Sequence, residues 1–208
     1  MRRPTPAPQP SPDTAGAATK TQWREEILAR RREVTAAVRD AETAALTTAV
    51  TALGRELGRG ATVCAYVPVG GEPGGTAMLD ALAASVGRVL LPVAREPGPL
   101  RWATYDGVDA LVRAPFGLRE PAPPFLPPES VAEATMLLVP ALAVDRRGVR
   151  LGRGAGFYDR TLGLAAGARL VAVVRDDELV ARLPEDAHDV RMHEALTPGG
   201  GLQVLGQE

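Results

Sequence analysis

Cysteine occurs once, at Cys64. No internal disulfide can therefore form, and its place in an apolar run suits a small buried hydrophobe in a reducing cytoplasm. Histidine is almost as scarce: His188 and His193 are the only two, and neither has a Cys or His partner at a zinc spacing. Lysine is scarcer still, because of 24 basic residues only Lys20 is not an arginine. Nowhere do 18 consecutive apolar residues occur, which excludes an obvious membrane-spanning helix. Residues 1–19 contain two arginines but no apolar stretch, so they do not read as a signal peptide. An excess of one charge is missing too: 24 basic residues face 25 acidic ones, and nothing points to a nucleic-acid or membrane partner.

What remains is a chain of 208 residues, 45% of them hydrophobic, enough for one domain with a sizeable core. Prolines at positions 4, 6, 8, 10 and 12 mark 1–19 as an extended, disordered tail, leaving 20–208 as a single domain. Trp23, Ile27, Val34 and Val38 recur at helical spacing and predict a helix over 20–39, with Thr19 as its cap. A second helix is expected over 41–57, ending at Gly58. A fully apolar strand over 62–69 reads as central, followed by a glycine-rich loop and a helix over 76–84. Strands are expected at 89–92, at 100–105 along a sheet edge, at 135–140 and at 169–174, with a short apolar turn at 179–183. This alternation predicts an α/β fold, with one mixed or mostly parallel sheet between helical layers.

The chemistry concentrates in 144–160. Gly152, Gly154 and Gly156 at alternate positions can bring the backbone close to a ligand and point several N–H groups at one spot. Arg150 and Arg153 supply charge for an anion, so the segment reads as a phosphate cradle joining a strand to a helix over 157–164. A Walker A loop requires Gly-Lys-Ser/Thr, and a dinucleotide fingerprint requires its third glycine one position later; neither fits. The plain alternative is a glycine-rich turn with solvated arginines. Lys20 and Arg24 share a helix face. In a chain that otherwise uses only arginine, that lone ammonium suggests a specific requirement. Glu72 follows the end of a strand, where open α/β sheets bind ligands, and Asp159 offers oxygen to a hard cation. Trp102 and Phe116 can stack on a flat heterocycle or pack in the core.

The run Arg150-Leu151-Gly152-Arg153-Gly154-Ala155-Gly156-Phe157-Tyr158-Asp159 resembles the signature loop of the 5-formyltetrahydrofolate cyclo-ligase family, with Ala155 where that family usually has Gly or Lys. Lys20-Thr21-Gln22-Trp23-Arg24 is similar to its N-terminal ATP motif. Tyr66, Pro68 and Glu72 match its Tyr-x-Pro-x3-Glu, Phe116-Gly117-Leu118-Arg119-Glu120-Pro121 another motif, and His188-Asp189 its His-Asp. The likeness covers about 20–197.

The fold this implies is a three-layer α/β/α sandwich, Rossmann-like in outline. The activity implied is ATP-dependent cyclisation of 5-formyltetrahydrofolate to 5,10-methenyltetrahydrofolate by phosphorylation of the formyl oxygen. Arg150, Arg153 and Tyr158 would be catalytic. ATP would be held by Lys20, Arg24 and the loop from Arg150 through Leu151, Gly152, Gly154, Ala155, Gly156 and Phe157 to Tyr158. The folate would meet Val67, Glu72, Trp102, Phe116 and Tyr158, with Glu72 on the pterin, and Mg2+ would sit on Asp159 and Asp189. A cytoplasmic monomer is expected. The same loop would also serve a relative acting on another small molecule, or a catalytically silent nucleotide-binding protein.

Overall fold

The computed structural model describes residues 18–95, 98–114, 119–187 and 189–206. The proline-rich stretch up to residue 17, Phe116 and His188 lie outside them. The first helix, α1 (Lys20–Glu33), starts where the sequence supplies a capping box: the Thr19 hydroxyl accepts from Gln22 N at 3.3 Å while Gln22 Oε1 accepts from Thr19 N at 2.7 Å. It stops earlier than periodicity predicts. Thr35 turns extended and caps α2 (Ala36–Leu57), its side chain accepting from Val38 N at 3.4 Å. Gly58, at φ 78°, ends α2 as expected.

The scaffold is a seven-stranded sheet. In chain order its members are β1 (Thr62–Cys64), β2 (Arg88–Val93), β3 (Arg101–Thr104), β6 (Met136–Pro140), β9 (Arg169–Val173), β11 (Glu194–Thr197) and β12 (Gly201–Val204). In space they run β12-β11-β9-β6-β1-β2-β3. The five inner strands are mutually parallel, and β3 and β12 close the edges antiparallel. Side chains alternate between two buried faces, which explains the continuous apolar runs. Val63, Leu91 and Leu138 face α2 and α3 (Thr76–Ser85), whereas Cys64, Leu90 and Leu137 face the opposite core with Val131 and Leu162. That second layer is made of short 3-10 turns and the five-residue α4 (Phe157–Thr161) rather than long helices.

After β1 the chain passes through α3 to β2, then returns to the other side of β1 as β6. The strand order thus reverses between β1 and β6, leaving a crevice outside their carboxyl ends. A short β4 (Leu111–Arg113) and β5 (Arg119–Pro121) pair antiparallel. The expected direct passage from the 135–140 strand into the glycine segment is not what forms. A hairpin, β7 (Ala143–Asp145) and β8 (Arg150–Leu151), intervenes, and β10 (Leu179–Val180) joins it where an apolar turn was predicted. Asp145, fully buried, fixes the hairpin by accepting from Arg147 N and Val149 N at 2.9 Å and Leu183 N at 3.0 Å. Ile27 of α1 packs against this small sheet with Leu142, Val149 and Leu151. Among the described residues, no helix is long and apolar enough to cross a membrane.

Candidate active site

A cavity of about 560 Å³ opens outside the carboxyl ends of β1, β2 and β6. Tyr66, Val67 and Glu72 form the wall beyond β1, Pro92 and Ala94 the wall at the end of β2, and Arg150 with residues 152–159 the wall facing them. The glycine segment leaves β8 and enters α4. Because α4 has only five residues, its dipole is slight, and side-chain cations and loop N–H groups must supply most of the attraction for an anion.

Arg24, one turn into α1, donates from Nε to Gly152 O at 2.9 Å and so ties the helix to the loop. Gly154 has φ +96°, a conformation that side chains rarely adopt, and a Cβ there would stand 3.5 Å from the Arg24 guanidinium carbon. Arg150, with a side chain 6% exposed, donates to Asp159 Oδ1 at 2.5 Å, and its guanidinium lies 5.6 Å from the centre of the Tyr158 ring. Its Nε is buried with no partner, a donor left for an acceptor that enters the cavity.

Across the cavity, Glu72 has a side chain only 9% exposed. Its Oε2 accepts from Val69 N and its Oε1 from Arg153 Nε, both at 3.1 Å. Burial pushes its carboxyl above the usual glutamate range, against the opposing pull of the Val69 N–H, Arg153 and Arg31. Arg153 also donates to Val69 O at 3.1 Å. The Tyr158 hydroxyl is buried with no partner, and burial with the nearby Glu72 charge raises its pKa far above the ordinary phenol value. It is therefore a neutral donor rather than a base.

A model of the 5-formyltetrahydrofolate cyclo-ligase family matches residues 16–198. The chain belongs to that family. It is 54% identical over 193 residues to the 5-formyltetrahydrofolate cyclo-ligase of Mycolicibacterium smegmatis, covering 90% of this chain and 97% of that one. To the enzyme of the same name from Escherichia coli K12 it is 30% identical over 141 residues, or 66% of this chain and 78% of the other. Among solved structures, the 5,10-methenyltetrahydrofolate synthetase of Aquifex aeolicus superposes with a TM-score of 0.71 at 23% identity, over 91% of this chain and 94% of that one. The synthetase of Mycoplasma pneumoniae gives 0.65 at 16% identity, over 83% and 94%. These two establish a shared fold.

Within this cyclo-ligase fold the expected site residues do not all reach the cavity. Val67, Glu72, Arg150, Gly152, Arg153, Gly154, Ala155, Gly156, Phe157, Tyr158 and Asp159 line it, and Arg24 backs it. Trp102 does not: it is 1% exposed in the core beneath β3, so the stacking role expected for it gives way to packing. Leu151 is likewise core, against Ile27. Lys20 holds Asp186 at 2.7 Å and Asp189 at 2.6 Å. Burial pulls its ammonium pKa down, but the two carboxylates outweigh that and keep it above the usual lysine value. Neither Lys20 nor Asp189 is among the lining residues.

Among the described residues no three His, Cys, Asp or Glu side chains cluster to hold a metal. Asp159 lines the cavity with its Oδ1 on Arg150, whereas Asp189 lies outside the lining and is engaged by Lys20. The sequence reading missed Arg95 and Arg119, which also line the cavity. Their positions, just past β2 and inside the Phe116–Pro121 motif, were the available signal. It also missed a buried cluster of Arg31, Glu178 and Arg175. Arg31 stands on α1 and the other two on the turn after β9, so no local pattern joins them.

Proposed function

We propose that this chain is a 5-formyltetrahydrofolate cyclo-ligase that uses Mg-ATP to close the 5,10-methenyl bridge. The observation that carries the reading is the ion pair between Arg153 of the glycine segment and Glu72 of the opposite wall, at 3.1 Å inside one cavity. A group suited to phosphate and a group suited to an aminopyrimidinone ring thus stand within one contact of each other. When bound, ATP supplies the phosphoryl group that makes the formyl oxygen a leaving group, and Mg2+ offsets the charge of the phosphates.

The chain's own part is positioning and charge. Gly154, Arg150 with its unpartnered Nε, and Arg153 form an anion-accepting wall suited to the transferring phosphate. The buried carboxylate of Glu72 can accept two N–H bonds from the pterin. The Tyr158 hydroxyl, neutral and unpartnered, is available to donate toward the formyl group. Asp159 is the carboxylate available to a phosphate-bound Mg2+. Asp186 and Asp189 hold Lys20 on α1, one turn before Arg24. Arg153 can turn from Glu72 to phosphate, being 43% exposed, which frees Glu72 for the folate.

In the reaction the formyl oxygen bonds to the γ-phosphorus as ADP leaves. N10 then attacks the formyl carbon, losing its proton, and the C–O bond breaks to release phosphate. A substrate carrying ¹⁸O in the formyl group tests this route: the label is expected in inorganic phosphate. Label recovered in water, with ADP formed, contradicts phosphorylation of that oxygen.

A further inference from the structure

From within, the loop that carries Glu72 is held only through Val69, whose N–H donates to Glu72 Oε2 at 3.1 Å. Gly70 and Gly71 both adopt left-handed backbone, at φ 55° and 82°, and the turn is closed by one backbone bond, Glu72 N to Val69 O at 3.1 Å. Two glycines in sequence have no side chains to pack, so beyond the Val69 contact the direction of the next side chain depends on what grips the loop from outside. The carbonyls on either side of Glu72 are both gripped by buried side chains. On one side the Tyr66 hydroxyl donates to Pro73 O at 2.8 Å. On the other, Arg175 donates from a terminal nitrogen to Gly71 O at 2.8 Å.

Arg175 is itself held on three sides. Its side chain is 6% exposed. Its Nε donates to both carboxylate oxygens of Glu42 on α2, at 2.9 and 3.0 Å. Its backbone N donates to Glu178 Oε2 at 2.8 Å. Glu178 in turn receives Arg31 of α1 at 2.6 and 2.8 Å, and Arg31 also donates to Ala141 O at 2.7 Å, just past β6. Two helices, the end of β6 and the turn after β9 thus converge on one loop carbonyl. Apolar side chains would fill such a space at lower desolvation cost. What an Arg–Glu network adds is direction, because a guanidinium fork fixes the acceptor it faces.

We propose that Arg175 is a positioning residue: anchored by Glu42 and Glu178, it fixes the Gly71 carbonyl and thereby the direction in which Glu72 presents its carboxylate to the folate ring. This rests on Glu72 being the pterin contact. Arg175 is not among the residues that line the cavity, so its effect is confined to the folate side.

The test is steady-state kinetics on the full chain, varying 5-formyltetrahydrofolate and Mg-ATP separately, for Glu72→Gln, Arg175→Gln, Arg175→Lys and Glu42→Gln, with a melting curve for each. Arg175→Gln is expected to raise the folate KM about tenfold, with the KM for Mg-ATP and kcat within about twofold. Arg175→Lys, which keeps a donor but not the fork, should fall between it and wild type. If Arg175→Gln does not fold, Glu42→Gln carries the test, with a rise of about threefold in the folate KM alone. An unchanged folate KM in the folded variants, or an equal rise in both KM values, overturns the positioning role. A folate KM unmoved by Glu72→Gln instead removes the pterin reading beneath it.

Discussion

Gly154→Val separates a phosphate cradle from a solvated turn. At φ +96° the backbone of Gly154 lies where an L-residue is strained, yet the nearest atom to a new Cβ, the Arg24 guanidinium carbon, is at an ordinary contact distance of 3.5 Å. The stability cost is therefore conformational rather than steric. A left-handed L-residue costs about 1–2 kcal/mol, and a β-branched one more, so about 2–3 kcal/mol is expected. For a chain of this length that lowers the melting temperature by roughly 4–12 °C, leaving a folded protein at room temperature. Nucleotide binding should suffer far more, because relief of the strain moves the loop N–H groups and the branch presses on the Arg24 guanidinium that ties α1 to the loop. A loss of at least about 100-fold is expected, equivalent to ~2.7 kcal/mol. Calorimetric titration with a non-hydrolysable Mg-ATP analogue, alongside a melting curve, reads both quantities. A variant that melts lower by the expected amount yet binds nucleotide like wild type refutes the cradle.

Three further outcomes follow from the geometry. Burial raises the Glu72 carboxyl above the usual range, so the carboxylate is lost as pH falls at a higher pH than for an ordinary glutamate of about 4.3. Folate affinity should weaken on acidification from that point, and Arg153→Met, by removing a cation that opposes the shift, should move the midpoint upward; calorimetry with folate across pH reads this, and an unchanged midpoint contradicts it. Asp159→Asn should raise the Mg2+ concentration needed for half-maximal rate while leaving the melting temperature within about 3 °C, since the Asn carbonyl keeps an acceptor for the buried Arg150 guanidinium; an unshifted Mg2+ titration rejects it as a metal ligand. Arg31→Leu strands Glu178, whose side chain is 3% exposed, and should cost about 3–5 kcal/mol in urea unfolding, whereas Arg88→Leu, at an ion pair with a largely exposed Glu133, should cost under about 1 kcal/mol. Equal costs would deny the buried pair its special standing.

The parts of the fold legible in the sequence are those with local causes. Thr19 announces the start of α1, Gly58 ends α2, and the apolar runs at 62–69 and 135–140 mark strands buried on both faces, although β1 ends at Cys64 and 65–69 leave it as cavity wall. The break at Val34–Thr35 escaped because helical spacing runs through it, and only the Thr35 cap reveals it. The β7–β8 hairpin escaped for a similar reason. Its turn, Asp145-Arg146-Arg147-Gly148, sits inside a stretch dominated by glycines and arginines, and its anchor is a buried aspartate whose partners reach to Leu183.

At the site, Glu72, Arg153, Gly154, Tyr158 and Asp159 were legible because each lies on a short motif that the topology brings to one crevice. Trp102 was not, since an aromatic on an edge strand reads alike whether it faces a ligand or the core. The Lys20 contacts were hidden as well: the spacing with Arg24 predicted one shared face. Arg24 does reach the glycine loop, while Lys20 turns to Asp186 and Asp189.

The central claim is that one cavity couples ATP to closure of the folate bridge, and the most direct measurement is growth of the 5,10-methenyltetrahydrofolate chromophore when the full chain is mixed with 5-formyltetrahydrofolate and Mg-ATP. Absorbance should rise in step with ADP, one for one, and stay flat when ATP is omitted. Chromophore formed without ATP, or ADP formed without chromophore, would contradict the account.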